Sequence, residues 1–248
     1  MSELETLIGY LRRWEDRKPD QLFCRFVDLE GKTLEGYSYQ SFAARTRELG
    51  AFLATEAGLR PGDRALLVYP PGLEMLAAFV ACARIGVIAV PVSPPLPMAF
   101  EAGLAKIAFI ARDCQASAVL SISEIQQLYR MLAAHRGDSP FPEAERPPEL
   151  PWFATDAARG FGGAAVEDRP GPVLFLQYTS GSTSNPKGVI VSHDNVIQNG
   201  LATLPEAPVA VSWLPQHHDM GFIGGGLEFV YCGAPCTMST RPTRPPMR

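Results

Sequence analysis

One stretch constrains this chain more than any other. An apolar run, Val173-Leu174-Phe175-Leu176, leads through Gln177 and Tyr178 into Thr179-Ser180-Gly181-Ser182-Thr183-Ser184-Asn185-Pro186. Lys187-Gly188 then opens a β-branched run, Val189-Ile190-Val191. The pattern reads as strand, hydroxyl-rich loop, strand. Such a loop offers backbone N–H groups and hydroxyls at close quarters, and Lys187 adds a positive charge, which is the equipment for holding a polyphosphate. The spacing excludes a Walker loop, which needs four residues between its glycine and a Gly-Lys-Ser/Thr that opens a helix. Here six residues separate Gly181 from Gly188, Lys187 precedes the glycine, and a strand follows. A plain surface hairpin would fit Ser184-Asn185-Pro186 but leaves the crowding of Thr179, Ser180, Ser182, Thr183 and Lys187 unexplained.

A second segment, Ser212-Trp213-Leu214-Pro215-Gln216-His217-His218-Asp219-Met220-Gly221, follows about thirty residues on. His218 and Asp219 fall where a strand ends and a helix over residues 220–231 begins, a common place for functional groups in α/β proteins. Asp219 also suits a helix cap beside the positive N-terminal end. Both roles are compatible, and the hydroxyl loop upstream favours a site. Gly224, Gly225 and Gly226 lack the Gly-x-Gly-x-x-Gly spacing after a strand, and read as close packing or substrate clearance.

Together the two segments resemble adenylate-forming enzymes: acyl-CoA synthetases, adenylation domains and fatty acyl-AMP ligases. Tyr178-Thr179-Ser180-Gly181-Ser182-Thr183, then Pro186-Lys187-Gly188-Val189, is similar to their phosphate-loop signature. Many members carry a further glycine where this chain has Ser184, and its absence resembles the fatty acyl-AMP ligase branch, as does Trp213-Leu214-Pro215 with His218-Asp219-Met220-Gly221. The resemblance runs from near the N-terminus to about Thr240. It implies that Thr179, Ser180, Gly181, Ser182, Thr183 and Lys187 bind the phosphates of ATP. It implies that His218 is catalytic, placing the acyl carboxylate, with Asp219, Met220 and Gly221 near the acyl substrate. His217 stands at a position often aromatic in the family. ATP, Mg2+, a fatty acid, and an acyl carrier protein or polyketide synthase are the implied cofactors and partners, although no metal ligand is identified in this sequence.

The remainder of the chain agrees with an α/β fold. Helical periodicity at Leu4, Leu7, Ile8, Leu11 and Trp14 opens it, and a hairpin turns at Glu30-Gly31. Helices over 41–57, 74–84, 100–113, 124–135 and 194–204 then alternate with strands over 65–69, 116–121 and 209–214. This rhythm predicts sheets flanked by helices. By the resemblance, residues 1–240 form an incomplete N-terminal AMP-binding domain, and 241–248 a divergent Arg/Pro-rich tail. The family's later segments for adenine, magnesium and ribose, and its C-terminal domain with a catalytic lysine, have no counterpart here. Residues 137–151, rich in proline and charge, read as a linker.

Composition narrows the function classes. A net charge of −4 with interspersed signs gives no basic stripe for nucleic acid. The hydrophobic stretch 75–92 is broken by Arg84, Gly86 and Pro91, so it reads as a buried helix and strand rather than a membrane span. Five cysteines at scattered spacings read as buried free thiols of a cytoplasmic protein. Two functional readings remain: part of a ligase that activates a fatty acid as its adenylate, or a non-catalytic remnant with residual nucleotide binding. A fragment of an acyl-CoA synthetase would share the loop.

Overall fold

The computed structural model describes residues 6–95, 100–134, 149–179, 186–203 and 210–240. Helix α1 (Leu7–Arg17) starts at Thr6, whose hydroxyl accepts the Gly9 N–H. Strands β1 (Leu22–Val27) and β2 (Thr33–Ser38) form the expected antiparallel hairpin. Ser38 then caps α2 (Tyr39–Thr55): its Oγ accepts the Ser41 N–H, and Ser41 Oγ accepts the Ser38 N–H in return. The α/β alternation follows as β3 (Arg64–Val68), α3 (Leu73–Arg84), β4 (Ile88–Val92), α4 (Phe100–Asp113), β5 (Ala118–Ser121), α5 (Ser123–Ala134) and β6 (Trp152–Ala154). After them come β7 (Val173–Thr179), β8 (Lys187–Ser192), α6 (His193–Thr203), β9 (Ala210–Ser212), a π-helical segment (Met220–Leu227), α7 (Glu228–Cys232) and β10 (Cys236–Ser239).

Among the described residues the strands form two sheets. The larger has the order β6-β5-β3-β4-β7-β8, parallel except for β8, which runs antiparallel to β7 at one edge. The smaller has the order β2-β1-β10-β9, and joins residues far apart in sequence, with Cys24 opposite Cys236. Strand alternation divides the core: Leu66 and Val68 face one hydrophobic cluster with Ile107 and Ile110 of α4, whereas Ala65 and Leu67 face another with α3. Helix α3 is buried on every side, as its uninterrupted apolar sequence requires. Its two charged residues are paired: Glu74 with Arg45 at 2.7 Å, and Arg84 with Asp168 at 2.6 Å. Removing one partner would leave a charge in the interior, so these pairs fix α3 in register with its surroundings.

Four local expectations change. The helix over 220–231 is a π-helical segment followed by a short α-helix, in a stretch where Gly221 and Gly224 to Gly226 weaken the preference for a regular α-helix. The strand over 209–214 narrows to Ala210–Ser212. Strand β7 continues through Tyr178 to Thr179, since cross-strand pairing with β8 outweighs the loop character of the sequence. Strands β6 and β10, absent from the sequence reading, complete the two sheets. Most of the 137–151 linker, and all of the 241–248 tail, lie outside the described residues.

Candidate active site

The hydroxyl loop leaves the larger sheet at its β8 edge. Thr179 ends β7 and pairs in register with Lys187, the first residue of β8. Ser180, Gly181, Ser182 and Thr183 lie outside the described residues. Tyr178 opposes Gly188, and a β-carbon at Gly188 would stand 2.9 Å from the phenol ring, so this position accommodates the ring by being glycine. The Tyr178 hydroxyl donates to the Asp113 carboxylate, tying the end of β7 to the end of α4. Burial first, and this hydrogen bond second, raise the phenol pKa and keep it protonated. Lys187 is exposed on the outer strand.

The second segment is largely exposed at Trp213, Leu214, His218, Asp219 and Met220, and is anchored at a few points. Gln216, 8% exposed, clamps it from two sides: its Oε1 accepts the Gly72 N–H at 2.9 Å, and its amide donates to Met238 Sδ at 3.1 Å. Phe222, 1% exposed, inserts between Phe79 of α3 and Phe175 of β7, with ring centroids 4.6 and 6.0 Å away. These edge-on aromatic contacts seat the segment against both α3 and β7. Asp219 caps the π-helical segment, its Oδ1 accepting the Met220 N–H at 2.7 Å. Gly221 sits in close backbone packing: a β-carbon there would meet the Pro215 carbonyl oxygen at 2.2 Å. Gly225 likewise faces Ser212 Oγ at 2.6 Å.

Gln177 joins the two segments, its side-chain N–H donating to the His217 carbonyl at 3.2 Å. Between them, at the C-terminal ends of the adjacent parallel strands β4 and β7, lies a cleft of about 230 Å³. Pro91, Val92 and Ser93 line it from β4, Gln177, Tyr178 and Thr179 from β7, Lys106 and Ile110 from α4, and His217, His218 and Asp219 from the second segment. The carboxyl ends of strands are where open α/β sheets present ligand crevices. A second cavity, of about 220 Å³, adjoins it and has mainly apolar walls, among them Tyr69, Met75, Trp213 and Leu214. Ser93 and His217 border both cavities.

Of the residues singled out from sequence, Thr179, His218 and Asp219 meet in the cleft. Lys187, Met220 and Gly221 do not line it, and Met220 is 71% exposed. The sequence reading missed Gln177, Gln216, Lys106 and Ser93. Only Gln177 and Gln216 had a signal available, as buried amides inside the two motifs. His217, assigned no role, forms the partition between the cavities, with its ring 4.8 Å from that of His218. Burial, then the charges of His218 and Lys106, push its pKa down to about 4, so it is neutral at physiological pH. His193 lies elsewhere: it opens α6, is buried, and accepts the Leu7 N–H at its Nδ1, 3.0 Å away. Among the described residues no group of three His, Cys, Asp or Glu side chains could hold a metal ion, and no helix is long and apolar enough to cross a membrane.

A sheet covered on both faces, with a cleft at its strand ends between the end of β7 and a histidine-bearing turn, places the chain among α/β proteins with a ligand crevice at the carboxyl ends of parallel strands. The chain belongs to the AMP-binding enzyme family, whose pattern matches residues 11–248. Within it, similarity extends to JamA of Moorena producens, a medium-chain-fatty-acid–[acyl-carrier-protein] ligase, at 30% identity over 94% of this chain and 39% of that protein. FadD26 of Mycobacterium tuberculosis, a long-chain-fatty-acid–AMP ligase, is 32% identical over 87% of this chain and 37% of its own length. The crystal structure of a fatty acyl-adenylate ligase from Legionella pneumophila, in complex with acyl adenylate and pyrophosphate, superposes with a TM-score of 0.72 at 30% identity, covering 97% of this chain and 41% of that one. The chain thus spans about two fifths of the length of these relatives.

Proposed function

We propose that this chain supplies the acid- and phosphate-facing part of an ATP-dependent ligase that activates a fatty acid as its acyl-adenylate. The observation that carries this reading is the meeting of Thr179, His217 and His218 in one polar cleft that shares its Ser93 and His217 walls with an adjoining apolar cavity. A polar end beside an apolar end matches an acid with a hydrocarbon tail. Residues 1–240 would then be the N-terminal AMP-binding portion, and 241–248 a tail. The free thiols Cys24, Cys82, Cys114, Cys232 and Cys236 support a cytoplasmic setting. JamA's name supports an acyl carrier protein, alone or in a polyketide synthase, as acceptor.

In the proposed reaction a carboxylate oxygen attacks the α-phosphorus of ATP. The new P–O bond forms as the bond to the β-phosphate oxygen breaks, and pyrophosphate leaves with the electron pair. No proton is transferred, so the protein's task is to position the carboxylate in line and to stabilise charge on the phosphates. His218 is suited to hold the carboxylate, and the loop after Thr179, with Lys187, to hold the leaving phosphates. Among the described residues one carboxylate lines the cleft, Asp219, whose Oδ1 accepts a backbone N–H; it would be the protein group available to Mg2+. That fits a metal carried by phosphate oxygens rather than one held in a protein cage.

The test is incubation of the folded chain with ATP, Mg2+ and a series of fatty acids, with detection of acyl-AMP by mass spectrometry. Acyl-AMP that disappears in Lys187→Ala supports the reading. His218→Ala is expected to abolish adenylate formation while ATP binding persists. ATP binding without any product would favour the second reading, a non-catalytic nucleotide-binding piece.

A further inference from the structure

The sequence assigns the positive charge of the site to Lys187, yet the lysine that lines the cleft is Lys106 of α4. Lys106 and Ile110 are one helical turn apart and both face the cleft. Asp113, three residues further along α4, accepts the Tyr178 hydroxyl. Ile110 is buried, so the helix face that carries Lys106 is anchored at its base and fastened to the end of β7. Among the described residues no carboxylate pairs with Lys106. The one acid of the cleft, Asp219, already accepts the Met220 N–H. Gln177, 5% exposed, leaves its side-chain oxygen without a partner on the same wall.

We propose that Lys106 is an anion-binding residue of this cleft, supplying an ammonium group from α4 to a carboxylate or phosphate oxygen seated beside Thr179, His217 and His218. A cation on the wall of a partly enclosed cleft, with no carboxylate in salt-bridge contact among the described residues, attracts an anionic ligand more strongly than one on an open surface. The neutral state of His217 leaves Lys106 as the lysine charge at this wall. The inference rests on the adenylation reading for the identity of the anion, as substrate carboxylate or nucleotide phosphate, but not for the binding itself.

The test uses the whole 248-residue chain, titrated separately with sodium octanoate and sodium pyrophosphate at constant ionic strength. The ring signals of its four histidines are followed by NMR, and Lys106 is exposed, so its variants are expected to fold. In the wild type, one or both anions should shift His217 and His218 while leaving the buried His193 unmoved. Lys106→Gln should weaken that binding about tenfold, the worth of one charge-assisted contact, and Lys106→Arg should restore most of it. A response to octanoate alone assigns Lys106 to the carboxylate, and one to pyrophosphate alone assigns it to phosphate. Equal affinities in wild type and Lys106→Gln, or no shift with either anion, would overturn the proposal. Lys106-dependent binding without acyl-AMP from any form would remove the adenylation reading and leave this one. Equal acyl-AMP formation and equal anion binding by wild type and Lys106→Gln would do the reverse.

Discussion

The two segments that meet at the cleft are held in opposite ways. Strand β7 is built into the larger sheet, with Leu174 and Phe175 buried, whereas its partner β8 forms the edge and is largely exposed, with Val189 and Ile190 49% and 66% accessible. The turn from Trp213 to Gly221 is clamped by Gln216 and seated on the Phe79–Phe175–Phe222 cluster. A segment held by few buried contacts can open at low cost, whereas one built into the core opens only with the core. The difference would suit the proposed site, with the exposed β8 edge free to move while the turn stays anchored at Gln216 and at Phe222.

Substitutions can break or sharpen this contrast. The largest expected effect is that of Phe222→Ala, which empties the aromatic cluster and should cost about 3–5 kcal/mol, measured by urea denaturation. A loss as small as that of a surface change would mean the turn is not seated on the core. Gly221→Ala should cost about 1–3 kcal/mol or more, because the new methyl overlaps the Pro215 carbonyl. Thermal melting within a degree of wild type would contradict that packing.

The third prediction concerns the inner end of the hairpin, which His193 ties to Leu7. Burial holds its pKa at about 4, against 6.5 when unfolded. As pH falls from about 6.5 to 4 the unfolded chain takes up a proton that the folded chain refuses, so stability falls through this window. The contribution is about 2–3 kcal/mol. His193→Gln should therefore lose less stability than wild type between pH 7 and pH 4.5, as read from urea midpoints. The smallest effect on stability belongs to Lys187→Ala, within about 0.5 kcal/mol, although it should weaken ATP binding by about 1–3 kcal/mol in calorimetry. A large loss of stability would place Lys187 in the framework rather than at the ligand.

Much of the fold was legible because the helices carry a 3.6-residue pattern and the inner strands are continuous apolar runs. The helix Phe100–Asp113 falls where its periodicity puts it, and residues 74–84 needed only Leu73 added at the start. Strands β6 and β10 were not legible: three or four residues set no period, and their place depends on partners distant in sequence. The π-helical turn was equally hidden, since its glycines answer to the Pro215 carbonyl and Ser212, neighbours that only folding supplies. At the site, the motifs pointed to Thr179, His218 and Asp219 because their residue types are unusual in series. Lys106 sits in an ordinary amphipathic helix, and only the packing of α4 against β7 turns it toward the cleft.

The parallel pairing of β1 with β10 sets a schedule for synthesis. Arg25 and Thr237, whose side chains are bonded across these strands, are separated by 212 residues. At typical elongation rates the ribosome needs roughly ten to forty seconds to cover that interval. Throughout it, the N-terminal hairpin has emerged without the strand that completes its sheet. A nascent chain in that interval presents an unpaired β1 edge, so chaperone demand should peak before β10 appears.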